Sequence, residues 1–297
     1  MKRRELTFLS GQGLHCAAWH YGPEDSDELR PLVVMAHGFG GTRNAGLEPY
    51  AERFAAEGFG VLLFDYRHFG ASEGEPRQLL SVAKQLEDWR SAVAFARHIQ
   101  GVDPERIALW GSSFSGGHVV VTAAQDHAVR CVVSQGSMID GLQAFWIAAR
   151  DGGPRASLAI TGHALWDVVA GLFGSAHYLP IVGQPRSVAM LTSADTEAGY
   201  AAIAPADFDN RVAARIALAV PTYRPLRYAA DVRCPVLLQI LEADTLVSTA
   251  AAEELGRRLG DRAEVIRYPN EHFDIYVPPL YDEAIEAQLD FLRRQLA

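Results

Sequence analysis

Three short stretches of this chain hold residue types at spacings that can do chemistry. The first is Gly111-Ser112-Ser113-Phe114-Ser115-Gly116-Gly117. It follows the apolar run Ile107 to Trp110 and opens a second apolar stretch that continues to Gln125. A serine at a tight strand-to-helix turn stands exposed at a sheet edge, at the positive end of a helix dipole, where developing negative charge is favoured. The turn demands small residues two before and two after that serine. Gly111 and Ser115 meet the demand, although Ser115 departs from the common G-x-S-x-G pattern. Ser113 is therefore a candidate nucleophile for acyl transfer. The plainer alternative is a Gly/Ser-rich loop that binds phosphate. A dinucleotide fold is disfavoured, because no G-x-G-x-x-G follows the first parallel strand.

The second stretch is His37-Gly38-Phe39-Gly40-Gly41, directly after the apolar run Leu32 to Ala36. Acyl transfer needs two backbone N–H groups aimed at an oxyanion, and a glycine-rich turn lets a backbone come that close. The N–H groups of Phe39 and of Phe114, the residue after the nucleophile, are the expected pair. A β-turn without a role is the competing reading. His37 precedes the turn and is expected to hold that loop, and His118 is given no role.

The third stretch is Asn270-Glu271-His272-Phe273-Asp274, in the loop after the last expected strand. The chain has ten histidines, most of which need be no more than satisfied polar side chains. His272 differs because it lies one loop beyond that strand, on the sheet edge that carries Ser113, where it can act as general base. An unexceptional histidine titrates at about 6 to 7, and only the neutral ring accepts the serine proton. An acid should orient the ring, and three stand near by in sequence: Glu242, Asp244 and Asp274. Glu242 and Asp244 share a parity after the strand Pro235 to Leu241, so side-chain alternation does not separate them. Asp244 lies further into the loop, where Thr245, Ser248 and local N–H groups can fix a short carboxylate. Asp274, two residues from His272, is poorly placed for Nδ1. The order Ser, Asp, His is the one that a nucleophile-elbow enzyme follows.

These residues need a sheet to hold them on one edge. From residue 31 onward, apolar runs alternate with helical patterns: Leu32 to Ala36 and Val61 to Phe64 read as strands, with a helix over Tyr50 to Glu57 between them. Val82, Leu86, Trp89, Val93 and Ala96 recur at helical spacing, and Val129 to Val133 is a further strand. Strands without polar alternation belong to a parallel sheet covered on both faces. The rhythm stops after Ser137. Residues 139–227 are rich in Ala, Gly and aromatics, with helices expected over Leu158 to Leu172 and Phe208 to Ala219. It resumes with strands at Pro235 to Leu241 and Ala263 to Tyr268, a helix at Ala250 to Leu259, and an amphipathic closing helix through Ile285, Leu289, Leu292 and Leu296. Glu5 to Leu9 and Leu14 to Trp19 flank Ser10-Gly11-Gln12-Gly13 as a hairpin. The expected division is a core over residues 1–138 and 228–297, with a helical cap over residues 139–227. Trp146 and Trp166 of that cap are candidate substrate-binding residues, with a place in the cap's own core as the competing reading.

The runs HGFGGT, FDYRHFGAS, LWGSSFSGGH, EADTLVS and EHFDIY resemble bacterial α/β hydrolases grouped near dienelactone hydrolases, X-Pro-peptidase-like esterases and fungal polyketide transferases. The resemblance covers about residues 30 to 135 and 230 to 297. It implies an α/β-hydrolase fold, with a mostly parallel central sheet flanked by helices, and a triad of Ser113, Asp244 and His272. Asp65 and Arg67 match the family's strand-end run and are taken as structural. The combined expectation is a serine hydrolase that cleaves a carboxylic ester, or a related acyl bond, of a small apolar substrate through an acyl-enzyme. A thioesterase, an amidase, a C–C bond hydrolase or an acyltransferase would use the same three residues. A ligand-binding protein without catalysis is the alternative of another class. Serine at 113 disfavours the dehalogenase and epoxide-hydrolase chemistries, which need aspartate there.

Composition narrows the partners. The 297 residues are 49% hydrophobic and carry a net charge of −9, and no basic stripe gathers the Lys and Arg, so a nucleic-acid backbone is not the expected partner. No run of about eighteen apolar residues offers a membrane span, and the N-terminal segment lacks a signal-peptide pattern. A cytoplasmic location is expected. Cys16, Cys131 and Cys234 are isolated in apolar stretches, which suggests buried thiols rather than a disulfide framework or a zinc site. No cofactor or metal is expected. A homodimer is compatible with the sequence but not specified by it.

Overall fold

The computed structural model describes residues 2–22 and 29–297. The hairpin at the front forms from β1 (Lys2–Leu9) and β2 (His15–Gly22), paired antiparallel. β3 (Arg30–Ala36), helix α1 (Glu48–Ala56), β4 (Gly60–Phe64), α2 (Val82–Ala96), β5 (Val102–Ser112), α3 (Phe114–Gln125) and β6 (Cys131–Gln135) follow. After an insertion come β9 (Val236–Leu241), α7 (Thr249–Leu259), β10 (Ala263–Tyr268) and α8 (Leu280–Leu296). One eight-stranded sheet runs in the order β1-β2-β4-β3-β5-β6-β9-β10. The pairs from β4 to β10 are parallel, and β2 joins β4 antiparallel.

The sheet's two faces explain the continuous apolar runs. Leu32, Val34 and Ala36 of β3 pack with α2 and α3 residues such as Trp89, Val93 and Val120. Their neighbours Val33 and Met35 point the other way, onto Tyr50 and Phe54 of α1 and Leu289 and Leu292 of α8. Alternation across a strand that is covered on both sides leaves no polar position to betray the period. Cys16, Cys131 and Cys234 are buried free thiols. Among the described residues no helix is long and apolar enough to cross a membrane.

Between β6 and β9 the chain leaves the sheet. The insertion opens with α4 (Gly141–Gly171), broken at Gly153, whose φ of 76° precedes Pro154. It then runs through β7 (Tyr178–Leu179), α5 (Thr196–Ile203), β8 (Val212–Ala213) and the short α6 (Ile216–Ala219). The helix expected over Phe208 to Ala219 is therefore mostly absent. Val212–Ala213 pairs with Tyr178–Leu179 instead, and Arg215 turns its backbone N–H and its guanidinium onto the buried Asp167. Those long-range bonds outweigh a weak local helical preference. The helix expected over Leu158 to Leu172 exists, as the second half of the longer α4.

Candidate active site

Ser113 sits at the junction of β5 and α3, with φ 57° and ψ −122°. A non-glycine residue there is strained, at a cost of order 1–3 kcal/mol. The surroundings hold it: its N–H donates to Gln135 O at 2.8 Å, and its carbonyl accepts from Gly116 N and Met138 N, each at 3.0 Å. A side chain on Gly111 would overlap the Ser115 carbonyl, which is why the turn needs glycine at that position. The neighbouring serines are occupied. Ser112 Oγ lies 2.6 Å from Tyr276 OH and accepts from Gln135 Nε2 at 3.1 Å. Ser115 Oγ pairs with Tyr66 OH at 2.9 Å.

His272 Nε2 lies 3.0 Å from Ser113 Oγ, and its Nδ1 lies 2.5 Å from Asp244 Oδ2. Both side chains are buried. Asp244 turns its other oxygen to the N–H groups of Leu246 and Val247, at 2.8 and 3.0 Å. Burial opposes charge on the His272 ring, but Asp244, with a further contribution from Asp195, outweighs it and raises the histidine above its ordinary value. Nδ1–H donates to the carboxylate, which leaves Nε2 with a lone pair facing Ser113, the tautomer a general base needs. Glu242 is exposed on the outside of the loop. Asp274 accepts from Glu271 N and Asn270 Nδ2 and closes its own turn.

The hydroxyls expected to fix Asp244 do something else. Thr245 Oγ1 donates to Asp195 Oδ1 at 2.7 Å, and Ser248 Oγ donates to Gln143 Oε1 at 2.5 Å. Both bonds tie the acid loop to the insertion. The second oxygen of Asp195 is buried with no hydrogen-bond partner among the described residues. Asp195 had no signal in the sequence: it lies 49 residues before Asp244, in a segment with no recognisable motif.

The glycine-rich turn crowds the nucleophile. A Cβ on Gly38 would stand 3.0 Å from Ser113 Cβ. Phe39 and Phe114 face one another edge-on with ring centroids 5.5 Å apart, so the two backbone segments expected to supply N–H donors flank Ser113. His37 is buried, with Nδ1 3.0 Å from Gly38 O, and burial pushes it down to about 4. His118 lies between Tyr223 OH at 2.7 Å and Gln85 Oε1 at 2.9 Å, pushed down to about 3 by burial. Both are neutral at ordinary pH. Arg67 is buried against Asp88, and Asp65 accepts from the N–H groups of Arg43 and Ala71, so both serve the loop architecture.

Ser113 and His272 open into a cavity of about 470 Å³ between the sheet edge and the insertion. Its far wall is apolar, with Phe145, Ile160, Met190 and Leu218 among the side chains that line it. Tyr276, the last residue of the EHFDIY run, lines it on the core side, and Tyr200, which no motif singled out, lines it on the insertion side. Trp146 and Trp166 do not. Each is 64% exposed, on the outer surface of α4. Their expected role as cavity-lining substrate residues is not what the structure shows, and neither is a place in the insertion's core. The helical period turns Phe145 and Ile160 inward and the tryptophans outward, a phase that residue type alone does not reveal. Among the described residues no group of three or more His, Cys, Asp or Glu is placed to hold a metal.

Comparison with known proteins agrees with this architecture. The family model described as serine aminopeptidase, S33 matches residues 27–273. The chain is 37% identical to the quorum-quenching protein AidA of Acinetobacter baumannii, over 94% of this chain and 91% of that protein. It is 27% identical to the polyketide transferase af380 of Aspergillus fumigatus, over 100% of this chain and 99% of the other. The crystal structure of the α/β hydrolase GrgF from Penicillium superposes with a TM-score of 0.83 at 24% identity, covering 100% of this chain and 99% of that one.

Proposed function

Since the chain belongs to the α/β-hydrolase family described as serine aminopeptidase, S33, we propose that it is a serine esterase acting on a carboxylic ester with an apolar acyl group. The observation that carries this reading is the continuous path from Asp244 through His272 to Ser113 at the floor of a largely apolar cavity. His272 takes the proton from Ser113 as the hydroxyl attacks the acyl carbon. Asp244 keeps the imidazole oriented and stabilises its charged form. The Phe39 and Phe114 N–H groups bind the oxyanion. The proton then passes from His272 to the leaving alcohol, and water, deprotonated by the same ring, releases the acid.

A free amino terminus, the substrate implied by an aminopeptidase, calls for an unpaired carboxylate in the chamber. Among the described residues, Asp151 is the sole acid on the cavity wall, and it is paired with Arg150 at 3.0 Å. The wall suits an aliphatic or aromatic acyl chain, whose burial is worth about 0.8 kcal/mol per methylene.

The test is labelling with a fluorophosphonate followed by mass spectrometry, run beside a series of nitrophenyl esters of increasing acyl length. A single adduct on the peptide carrying Ser113, with kcat/KM rising with acyl length until the cavity is filled, is the expected result. Absence of both adduct and turnover would overturn the proposal. A much greater rate on amino-acyl amides than on any ester would replace it with the peptidase reading.

A further inference from the structure

The second half of α4 is apolar on both of its faces. Inward, Ile160 and Ala164 pack towards Leu179 and Ala214, and Ala156 and Ile160 wall the cavity. Outward, Leu158, Leu172 and Phe173 are 76%, 79% and 82% exposed, and Leu165, Trp166, Val168 and Val169 are about half exposed. At ~100° per residue, positions 158, 162, 165, 169 and 172 fall in one stripe with alternating spacings of four and three, the pattern of a helix that packs along another helix. Trp166, Val168 and Phe173 flank it. The ionisable side chains of this stretch turn inward: Asp167 is buried on Arg215, and His163 lies 2.7 Å from His177. A helix that is apolar around its whole girth is normally covered on every side.

We propose that this stripe is the contact face of a homodimer, with α4 of one copy lying on α4 of a second across a two-fold axis. Three observations favour a second copy as the occupant. The first is area. At about 200 Å² for a large side chain, the seven outward residues expose roughly 900 Å². That exceeds the ~300–600 Å² of the largest apolar patch on a typical monomer and matches the ~800 Å² that each partner buries in a stable interface. The second is charge. No Lys or Arg occurs between residues 156 and 174, and the whole chain carries −9, whereas a helix that rests on a lipid surface is rich in basic residues. An uncharged stripe suits its own copy, because a two-fold contact sets like against like. The third is Gly162, at the middle of the stripe, where an added Cβ would meet nothing within 4 Å. Glycine in an exposed helix costs about 1 kcal/mol relative to alanine, and no contact among the described residues requires it. Against a second helix it leaves a hole that receives a side chain from across the axis.

The proposal stands apart from the assignment of Ser113, since its readout is mass. Analytical ultracentrifugation of the full chain, from about 1 to 100 µM, should give twice 32.4 kDa at the upper concentrations. The double variant Leu165→Arg/Leu172→Arg changes side chains already in water and should give 32.4 kDa with an unchanged far-ultraviolet circular dichroism spectrum. Gly162→Leu, which fills the hole without adding charge, should raise the dissociation constant at least about tenfold. Wild-type protein that stays monomeric throughout, or a double variant that keeps the dimer mass, would overturn the proposal. Monomeric wild-type protein that co-sediments with phosphatidylcholine–phosphatidylglycerol vesicles would overturn it in favour of a lipid surface.

Discussion

Thr245, the residue after the acid of the candidate triad, donates its hydroxyl to Asp195 of the insertion at 2.7 Å. The loop that orients His272 is thereby fastened to the segment that roofs the cavity. Ser248, three residues on, repeats the link through Gln143. The position of the roof and the electrostatics of the base are therefore set by the same few side chains.

Ser113→Ala should abolish ester hydrolysis, with a loss of several orders of magnitude in kcat, and leave the fold intact. Ser112→Ala and Ser115→Ala should retain most activity, since their hydroxyls bond to Tyr276 and Tyr66 and not to His272. Steady-state rates on one nitrophenyl ester decide it. A dead Ser112→Ala enzyme with an active Ser113→Ala enzyme would move the nucleophile by one residue.

For the acid, Asp244→Asn should lower kcat by about 10³-fold or more, through loss of the correct ring tautomer. Glu242→Gln and Asp274→Asn should cost far less, because Glu242 faces solvent and Asp274 serves its own turn. Near-normal turnover by Asp244→Asn would remove it from the role.

How much of the fold is legible in the sequence follows from which forces are local. The buried strands, the turn at Ser113 and the amphipathic closing helix were legible because each is encoded within a dozen residues. The strained φ of Ser113 needs small neighbours, and Gly111 and Ser115 advertise it. The acid was narrower than a motif but reachable, since Asp244 and Glu242 differ in how far they stand past a strand end. The insertion was not legible in the same way. α4 is broken at Gly153-Pro154, and its first half, before that break, is not among the helices the sequence leads one to expect. Val212–Ala213 forms a strand pair that depends on residues more than thirty positions away. The phase of α4 hides which aromatics face inward, and Asp195 meets Thr245 across the cavity roof with nothing in its own segment to mark it.

That phase has a consequence for specificity. Phe145→Ala removes an aromatic wall of the cavity and should lower kcat/KM for long acyl chains relative to short ones by about tenfold or more, in line with ~1–3 kcal/mol for lost apolar contact. Trp146→Ala, one residue away and facing water, should leave the ratio between substrates unchanged. A panel of acyl lengths measured on both variants checks this, and a larger change in Trp146→Ala would contradict the orientation of α4.

The insertion's own hold rests on Asp167, fully buried and accepting from the N–H groups of His177 and Arg215 and from the Arg215 guanidinium. Arg215→Met leaves that carboxylate without its charge partner and should destabilise the insertion by about 3–5 kcal/mol. Hydrogen exchange should show the loss confined to residues around β7 and β8, with the sheet protected as before. Uniformly unchanged exchange would show that the pair contributes little.

Turnover needs His272 neutral, so activity falls as pH drops through the pKa of its ring. Burial favours the neutral ring, while Asp244 and, more weakly, Asp195 favour the charged one and prevail, so the pKa lies above the ordinary histidine value. The acidic limb of the kcat/KM profile should therefore have its midpoint above about 6.5. Asp195→Asn keeps an acceptor for the Thr245 hydroxyl and removes the negative charge. The midpoint should then move to lower pH, and the variant should be relatively more active than the wild type on the acidic side, with little change on the alkaline plateau. Thr245→Val breaks the same hydrogen bond but leaves the Asp195 charge in place. If Asp195 acts through its charge, Thr245→Val should shift the midpoint much less than Asp195→Asn does. If Asp195 serves only to fasten the roof, Thr245→Val should lose plateau activity, Asp195→Asn should keep it, and neither should move the midpoint; that outcome would rule out the electrostatic role.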